Sequence, residues 1–153
     1  MKKTLATLSL ALIVSGCSGT RPELGIVGGK LRPCPPSPNC VNSAALDDDH
    51  ATQAFYYSGT SVAAWQALTS IIKDMERAEI VSLTGTYLHA EFTSAVFRFV
   101  DDVEFLLTPK ANKIEVRSAS RLGHSDFGVN RKRLQKIREL FAEKCALAVV
   151  REN

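Results

Sequence analysis

Residues 97–118 read FRFVDDVEFLLTPKANKIEVRS, and the fold turns on how that stretch is divided. Val103 to Thr108 and Lys113 to Ser118 have strand character, and PKAN between them is a clear turn. The pair Asp101-Asp102 interrupts the apolar text. Aspartate is depleted in strands and frequent in turns, so the pair is placed at a hairpin turn, with a further strand from Ala95 to Val100 before it. Working upstream, Tyr87 to Phe92 and Glu79 to Leu83 read as strands around a turn at Gly85, and AFYYS (54–58) has strand character. A helix is expected from about Val62 to Glu76, capped by Thr60 or Ser61, because Trp65, Leu68, Ile72 and Met75 recur at helical spacing. Trp65 sits on that stripe and is assigned to the core. Downstream, a last helix runs from about Asn130 to Cys145, with Asn130 as its cap and Leu134, Ile137, Leu140, Phe141 and Cys145 on one side. This order predicts an α+β domain: an antiparallel sheet of about five strands with two helices packed on one face.

The chain opens MKKTLATLSLALIVSGC. Lys2 and Lys3 precede a short apolar run, too short to span a bilayer permanently, and VSGC ends it with small residues and Cys17. This resembles a bacterial lipobox, so residues 1–16 are expected to be a lipoprotein signal peptide and Cys17 the lipidated N-terminus. A diacyl thioether plus an N-acyl chain supplies more than one lipid tail, which stable anchoring requires. Ser18, where an aspartate would signal retention, points to an outer-membrane lipoprotein facing the periplasm rather than to the inner membrane. Residues 17–33 mix Gly, Pro and charge without periodicity and read as a flexible tether. Residues 34–150 form the single α+β domain; about 137 residues after processing suffice for one core.

The cell envelope is oxidising, and Cys34 and Cys40 bracket CPPSPNC, a proline-rich loop short enough to close. They are the disulfide candidates; pairing of either with Cys145, or no pairing, stays open. Cys145 lies on an apolar helix stripe and reads as a small buried hydrophobe. Asp47 to His50, DDDH, reads as solvated surface.

Loss of Lys2 and Lys3 leaves 17 basic side chains against 16 acidic, so the total says little. The distribution says more. Residues 45–109 hold ten acidic and three basic side chains, and residues 110–138 hold nine basic and two acidic. Such halves can pair with each other or with an external partner.

Candidate chemistry concentrates in RSASRLGHSDFGVNRKR (117–133). A hydrolase elbow would need glycine two residues after Ser125, where Phe127 stands, which argues against a serine nucleophile. His89 with Glu91, and Asp102 with Glu104, share strand faces and could meet around a divalent ion with His124 and Asp126. The ordinary reading is the solvated face of a one-sided sheet, and no metal or cofactor is assigned. The arginines are odder. With Asn130 as cap, Arg131, Lys132 and Arg133 occupy the first helical turn, where cations are unfavourable by about 0.3–1 kcal/mol each. They imply a compensating anion: Asp101, Asp102, Glu104 or Asp126 from within, or an external phosphate or carboxylate held with Arg117 and Arg121.

CPPSPNCVNS, YLHAEFTS with FRFVDDVEFLL, and IEVRSASRLGHSDFGVNRKRLQKIR together resemble the domain-of-unknown-function 1499 family over about residues 34–142. Its members are bacterial envelope proteins, many lipidated or membrane-tethered, with plastid relatives. The resemblance implies the domain and the envelope setting and supplies no activity. Its positions here include Ser37, Asn39, Asp101, Asp102, Glu104, Arg117, Ser118, Ser120, Arg121, Gly123, Asp126, Gly128, Asn130 and Arg131. The family pattern would also allow an aromatic such as tyrosine where His124 stands, which demotes it as a base. The expected function is a non-enzymatic binding or interaction module. Its partners would be the membrane, through the anchor, and an anionic envelope ligand or a protein, not nucleic acid. An envelope hydrolase or transferase using Asp102 or Glu104 with Arg117 or Arg121, or a purely structural scaffold, is the alternative.

Overall fold

The computed structural model describes residues 19–151, with side chains to residue 146. The expected signal peptide and Cys17 lie outside the described residues. A short hairpin opens the chain, β1 (Ile26–Val27) with β2 (Lys30–Leu31). Then come β3 (Cys40–Asn42), β4 (Phe55–Tyr56), α1 (Ser61–Asp74), β5 (Ala78–Leu83), β6 (Tyr87–Thr93), β7 (Val100–Thr108), β8 (Lys113–Ser120) and α2 (Val129–Arg151). The main sheet is antiparallel in the order β3-β8-β7-β6-β5, with β4 on the same edge of β8 as β3. The fold is α+β, with both helices on one face.

That face is apolar by simple alternation. Leu88, Ala90 and Phe92 of β6, Val103, Phe105 and Leu107 of β7, and Ile114 and Val116 of β8 meet α1 and α2 in one cluster. Trp65, Leu68 and Ile72 of α1 and Leu134, Ile137 and Phe141 of α2 close it. Each Val, Leu, Ile or Phe among them contributes about 1.5–3 kcal/mol by leaving water. Phe55 sits edge-on to Phe105 and Phe141, 5.8 Å from each. Trp65 donates Nε1–H to the Thr84 carbonyl at 3.0 Å, so its one polar atom is satisfied. Thr60 caps α1 through Oγ1, which accepts from Ala63 N at 3.2 Å.

Three expectations change. The Ala95–Val100 strand does not form; residues 94–99 are the loop between β6 and β7. Asp101 and Asp102 are not a turn but sit inside β7, paired in register with Phe92 and Glu91 on one side and Ser120 and Ala119 on the other. Tertiary pairing overrides the local preference of aspartate. And the tether read over residues 17–33 is not free in its described part, which is tied to the sheet through Arg21, Gly25 and β2. Leu31 is buried, and β2 packs on β7 and β8.

The start of α2 also differs from expectation. The helix begins at Val129 after Gly128, whose φ of 75° is left-handed and suits glycine. Asp126 does the capping: its carboxylate accepts from Gly128 N at 3.0 Å and Asn130 N at 2.7 Å. Asn130 lies one position inside the helix and turns its side chain into the protein.

Candidate functional site

Because adjacent strand residues face opposite ways, Asp101 and Asp102 serve different sides of the sheet. Asp101 faces the helices and accepts from Arg133 of α2 at 2.5 Å. Beside it, Asn130 is fully buried and works as a junction. Its amide donates to Asn39 O (3.1 Å) and Ser120 Oγ (3.0 Å), and its carbonyl accepts from Ser118 Oγ (2.5 Å) and Arg133 (2.7 Å). Arg133 also lies over the Phe92 ring, 4.8 Å from its centre.

The opposite face carries the denser cluster. His89 and Glu91 of β6, Asp102 and Glu104 of β7 and Arg117 of β8 all point away from the helices, and Arg121 follows from the end of β8. His89, Asp102, Glu104 and Arg117 are buried, with Glu104 at 0% exposure. The solvated face expected for alternating polar residues is thus replaced by a covered one. The segment before β1 is the cover. Arg21 holds Glu91 through Nε at 2.8 Å and through a second guanidinium contact, and Gly25 N donates to Glu104 at 2.7 Å.

Under this strap, Arg121 forms a fork on Asp102 (2.8 and 2.7 Å) and also reaches Glu91 at 2.5 Å. His89 Nε2 donates to Asp102 at 2.7 Å; a carboxylate only accepts here, so Nε2 carries the proton. Glu104 accepts from Tyr87 OH at 2.8 Å and from Arg117 at 3.2 Å. Arg117 Nε is buried without a partner among the described residues, the one fully buried nitrogen of the cluster left so.

The electrostatics follow from the pairing. Burial pushes the Asp102 carboxyl up, but the bonds from Arg121 and His89 outweigh it and hold Asp102 below the usual carboxylate range. Glu91 behaves alike: burial opposes, Arg121 and Arg21 prevail, and its pKa is lowered. Tyr87 is raised, first by burial and then by the Glu104 charge. Asp102 raises Arg121 further, against a smaller opposing effect of burial. A carboxylate so held is a weak proton acceptor at neutral pH. One donor atom each from His89, Glu91 and Asp102 lies within 4.8 Å of the others, a spacing that could suit a cation. The arginine fork on Asp102 and Glu91 already fills that role with positive charge.

The charged residues singled out in sequence therefore do not form one site. Asp102, Glu104, Arg117 and Arg121 share the strap face; Asp101, Asn130 and Arg133 share the helix side; Asp126 caps α2. Arg131 is exposed and donates to the carbonyls of Ala51 (2.6 Å) and Asp49 (3.0 Å), not to a carboxylate. It borders a groove of about 900 Å³ between residues 51–53 and α2, with Lys132, Lys136 and Arg138 also on its wall. Cys34 and Cys40 are joined as a disulfide, and Cys145 is free and partly buried, its thiol pushed up by burial. Ser125 and His124 are exposed in the loop before α2. Sequence reasoning missed Arg21, Gly25 and Tyr87. Tyr87 was legible as the next residue along the His89–Glu91 face, whereas nothing local marked the other two.

A family model described as "Protein of unknown function (DUF1499)" matches residues 30–141, most of the chain. The chain belongs to the DUF1499 family. Residues 1–18 match a prokaryotic membrane lipoprotein lipid attachment site, so this DUF1499 member is a membrane-anchored lipoprotein of the cell envelope. No curated protein and no solved structure matches the chain. The DUF1499 match includes the whole sheet and most of α2 but not Arg21 or Gly25. Two contacts that roof the ionic face thus come from ahead of the matched region. No helix among the described residues is long and apolar enough to cross a membrane.

Proposed function

We propose that this lipoprotein is a periplasm-facing, outer-membrane binding module without catalysis, and that its ligand is an anionic envelope component held along α2. The observation that carries this is the division of the basic residues. Arg117, Arg121 and Arg133 pair with buried carboxylates, while Arg131, Lys132 and Lys136 stay exposed along one groove. Lys132 and Lys136 are four residues apart and share a side of the helix. Asp126 already occupies the helix N-terminus, so the groove offers side-chain charge and not the helix end. The hydrolase or transferase alternative loses ground because Asp102, which that reading needs as a base, and Glu91 beside it are held ionised by arginine. Outer-membrane residence rests on Ser18 after the lipidated cysteine.

The test is titration calorimetry of the full lipoprotein in vesicles of uncharged lipid, with soluble muropeptides as the carboxylate probe and inorganic pyrophosphate as the phosphate probe. Binding by one of them should weaken with salt and fall at least about tenfold, or about 1.4 kcal/mol, in Lys132→Glu/Lys136→Glu. Failure of both probes to bind, or binding indifferent to the charge reversal, removes the groove as the site.

A further inference from the structure

One end of the sheet collects the finish of β6, the start of β7, the finish of β8 and the start of β3. Thr93 pairs with Val100, Asp101 with Ser120 and Cys40 with Ala119. Two loops project there, residues 94–99 and 121–128, drawn together by the Arg121 N to Val100 O bond at 3.1 Å. Both loops expose large apolar side chains. In the first, Val96 is 79% exposed, Phe97 70% and Phe99 44%, and the two rings stack with centres 5.6 Å apart. In the second, Phe127 is 89% exposed.

Scattered single apolar residues on a surface need no explanation, but clustered ones do. The backbone adds a second peculiarity. Arg98 and Phe127 both have left-handed φ, 58° and 53°. For a bulky side chain that conformation costs on the order of 1 kcal/mol or more, and the Phe127 ring, standing in water, contributes no packing against it.

Gly19, the first described residue, lies at this same end. Gly19 packs on Arg121 and Leu122, so closely that an added Cβ would stand 3.1 Å from both side chains. Cys17, in the lipid attachment site, is two residues earlier. Two residues reach at most about 7 Å. A cysteine whose acyl chains are in the bilayer therefore brings this end of the domain to the lipid surface, with no slack for a leash.

We infer that the 94–99 and 121–128 loops are a membrane-docking surface, and that its occupant is the phospholipid interface holding the protein's own anchor. Phe97, Phe99 and Phe127 enter the headgroup boundary, where aromatic rings are favoured. Arg98, between two of them, meets anionic headgroups. The turns at residues 84–86 and 109–112, where β6 and β8 begin, then point away from the membrane. This inference rests on the lipoprotein anchor and is independent of the α2 groove.

The experiment uses full-length lipoprotein in vesicles of phosphatidylethanolamine and phosphatidylglycerol, with lipid on Cys17 checked by mass. Phe97→Trp and Phe127→Trp report from the docking end. Tyr56→Trp reports from the other end, where β4 pairs with the start of β8. Trp65 is buried and supplies a constant background. The expected result is a blue-shifted emission for the two docking-end reporters, quenched severalfold more by brominated acyl chains than that of Tyr56→Trp. Equal quenching at both ends, with the docking-end reporters fully open to aqueous iodide, overturns the proposal, as does absence of lipid on Cys17. If a tryptophan variant does not fold, hydrogen exchange of the unaltered lipoprotein in the same vesicles decides. Slower exchange at 94–99 and 122–127 than at 84–86 and 109–112 supports docking, and equal exchange refutes it.

Discussion

The two faces of one sheet are built from the same strands and are sealed by opposite means. Toward the helices, Leu88, Val103, Phe105 and Val116 are closed by packing, with Asp101 as a charged exception at the margin. Toward the strap, His89, Asp102, Glu104 and Arg117 are buried as deeply, yet the seal is ionic pairing under a short stretch of backbone. The first face tolerates a lost methylene by partial collapse. The second has no such latitude, because a buried charge that loses its partner keeps its whole desolvation cost. Depth of burial alone therefore does not say how a region will fail.

The sharpest way to break the comparison is Asp102→Ala. It strips Arg121 and His89 of their shared acceptor and should cost about 3–5 kcal/mol in denaturant unfolding, as much as Phe105→Ala on the other face. A double-mutant cycle separates the two. Adding Arg121→Ala to Asp102→Ala should recover part of the loss, whereas no second truncation rescues Phe105→Ala. A loss below about 1 kcal/mol for Asp102→Ala would mean that the strap face is wet.

Acid should probe the same difference without mutation. Asp102 and Glu91 have folded pKa values lowered from the ordinary range. Their contribution is thus fully present above the unfolded values, about 4, and is lost as pH falls through the depressed folded ones. Stability followed by thermal unfolding should be flat toward neutral pH and fall below about 4, and the fall should be shallower in Asp102→Asn.

Asn130→Ala tests the polar margin of the helix side. It takes away the donor to the Ser120 hydroxyl, the acceptor of the Ser118 hydroxyl and one of the two donors to Asn39 O, and a loss of about 1–3 kcal/mol is expected, with α2 still formed because Asp126 caps it. Helicity by circular dichroism should be unchanged while the unfolding midpoint drops. The smallest effect belongs to Arg21→Ala. Its side chain is 53% exposed, so the bridge to Glu91 is worth only about 0.2–1 kcal/mol globally. Its signature is local instead: faster hydrogen exchange at Gly25 N with the helices unaffected.

How much of this was legible follows from the range of the interactions. The helix face is written in periods of two and 3.6, so most of β4 to β8, both helices and the place of Trp65 could be read directly, while β3, behind the proline-rich loop, could not. Asp101-Asp102 misled because the preference of aspartate for turns is local, while its place in β7 is fixed by Glu91, Ala119 and arginines far along the chain. Val96, Phe97 and Phe99 misled in the reverse direction, since strand-like residues ended in an exposed loop. The strap was illegible for a plainer reason. Its contacts join residues 70 and 79 positions apart, and a Gly- and Pro-containing segment with no periodicity gives no sign of what it will cover. The charge imbalance between the two halves did carry the pairing in outline, because acidic β6 and β7 meet basic β8 and α2.

The strap has a mechanical consequence. Any pull between the lipid anchor and the domain enters at Gly19 and Arg21, ahead of every strand of the main sheet. The load falls first on one half-exposed guanidinium and one hydrogen bond from the Gly25 amide to Glu104, not on the aromatic interior. Under tension the strap should peel away as a unit, wetting His89, Asp102 and Glu104 while α1, α2 and Phe105 stay in place. The tie to the membrane would then lengthen by residues 19–25 and convert a rigid mount into a leash, reversibly, each time the load came off.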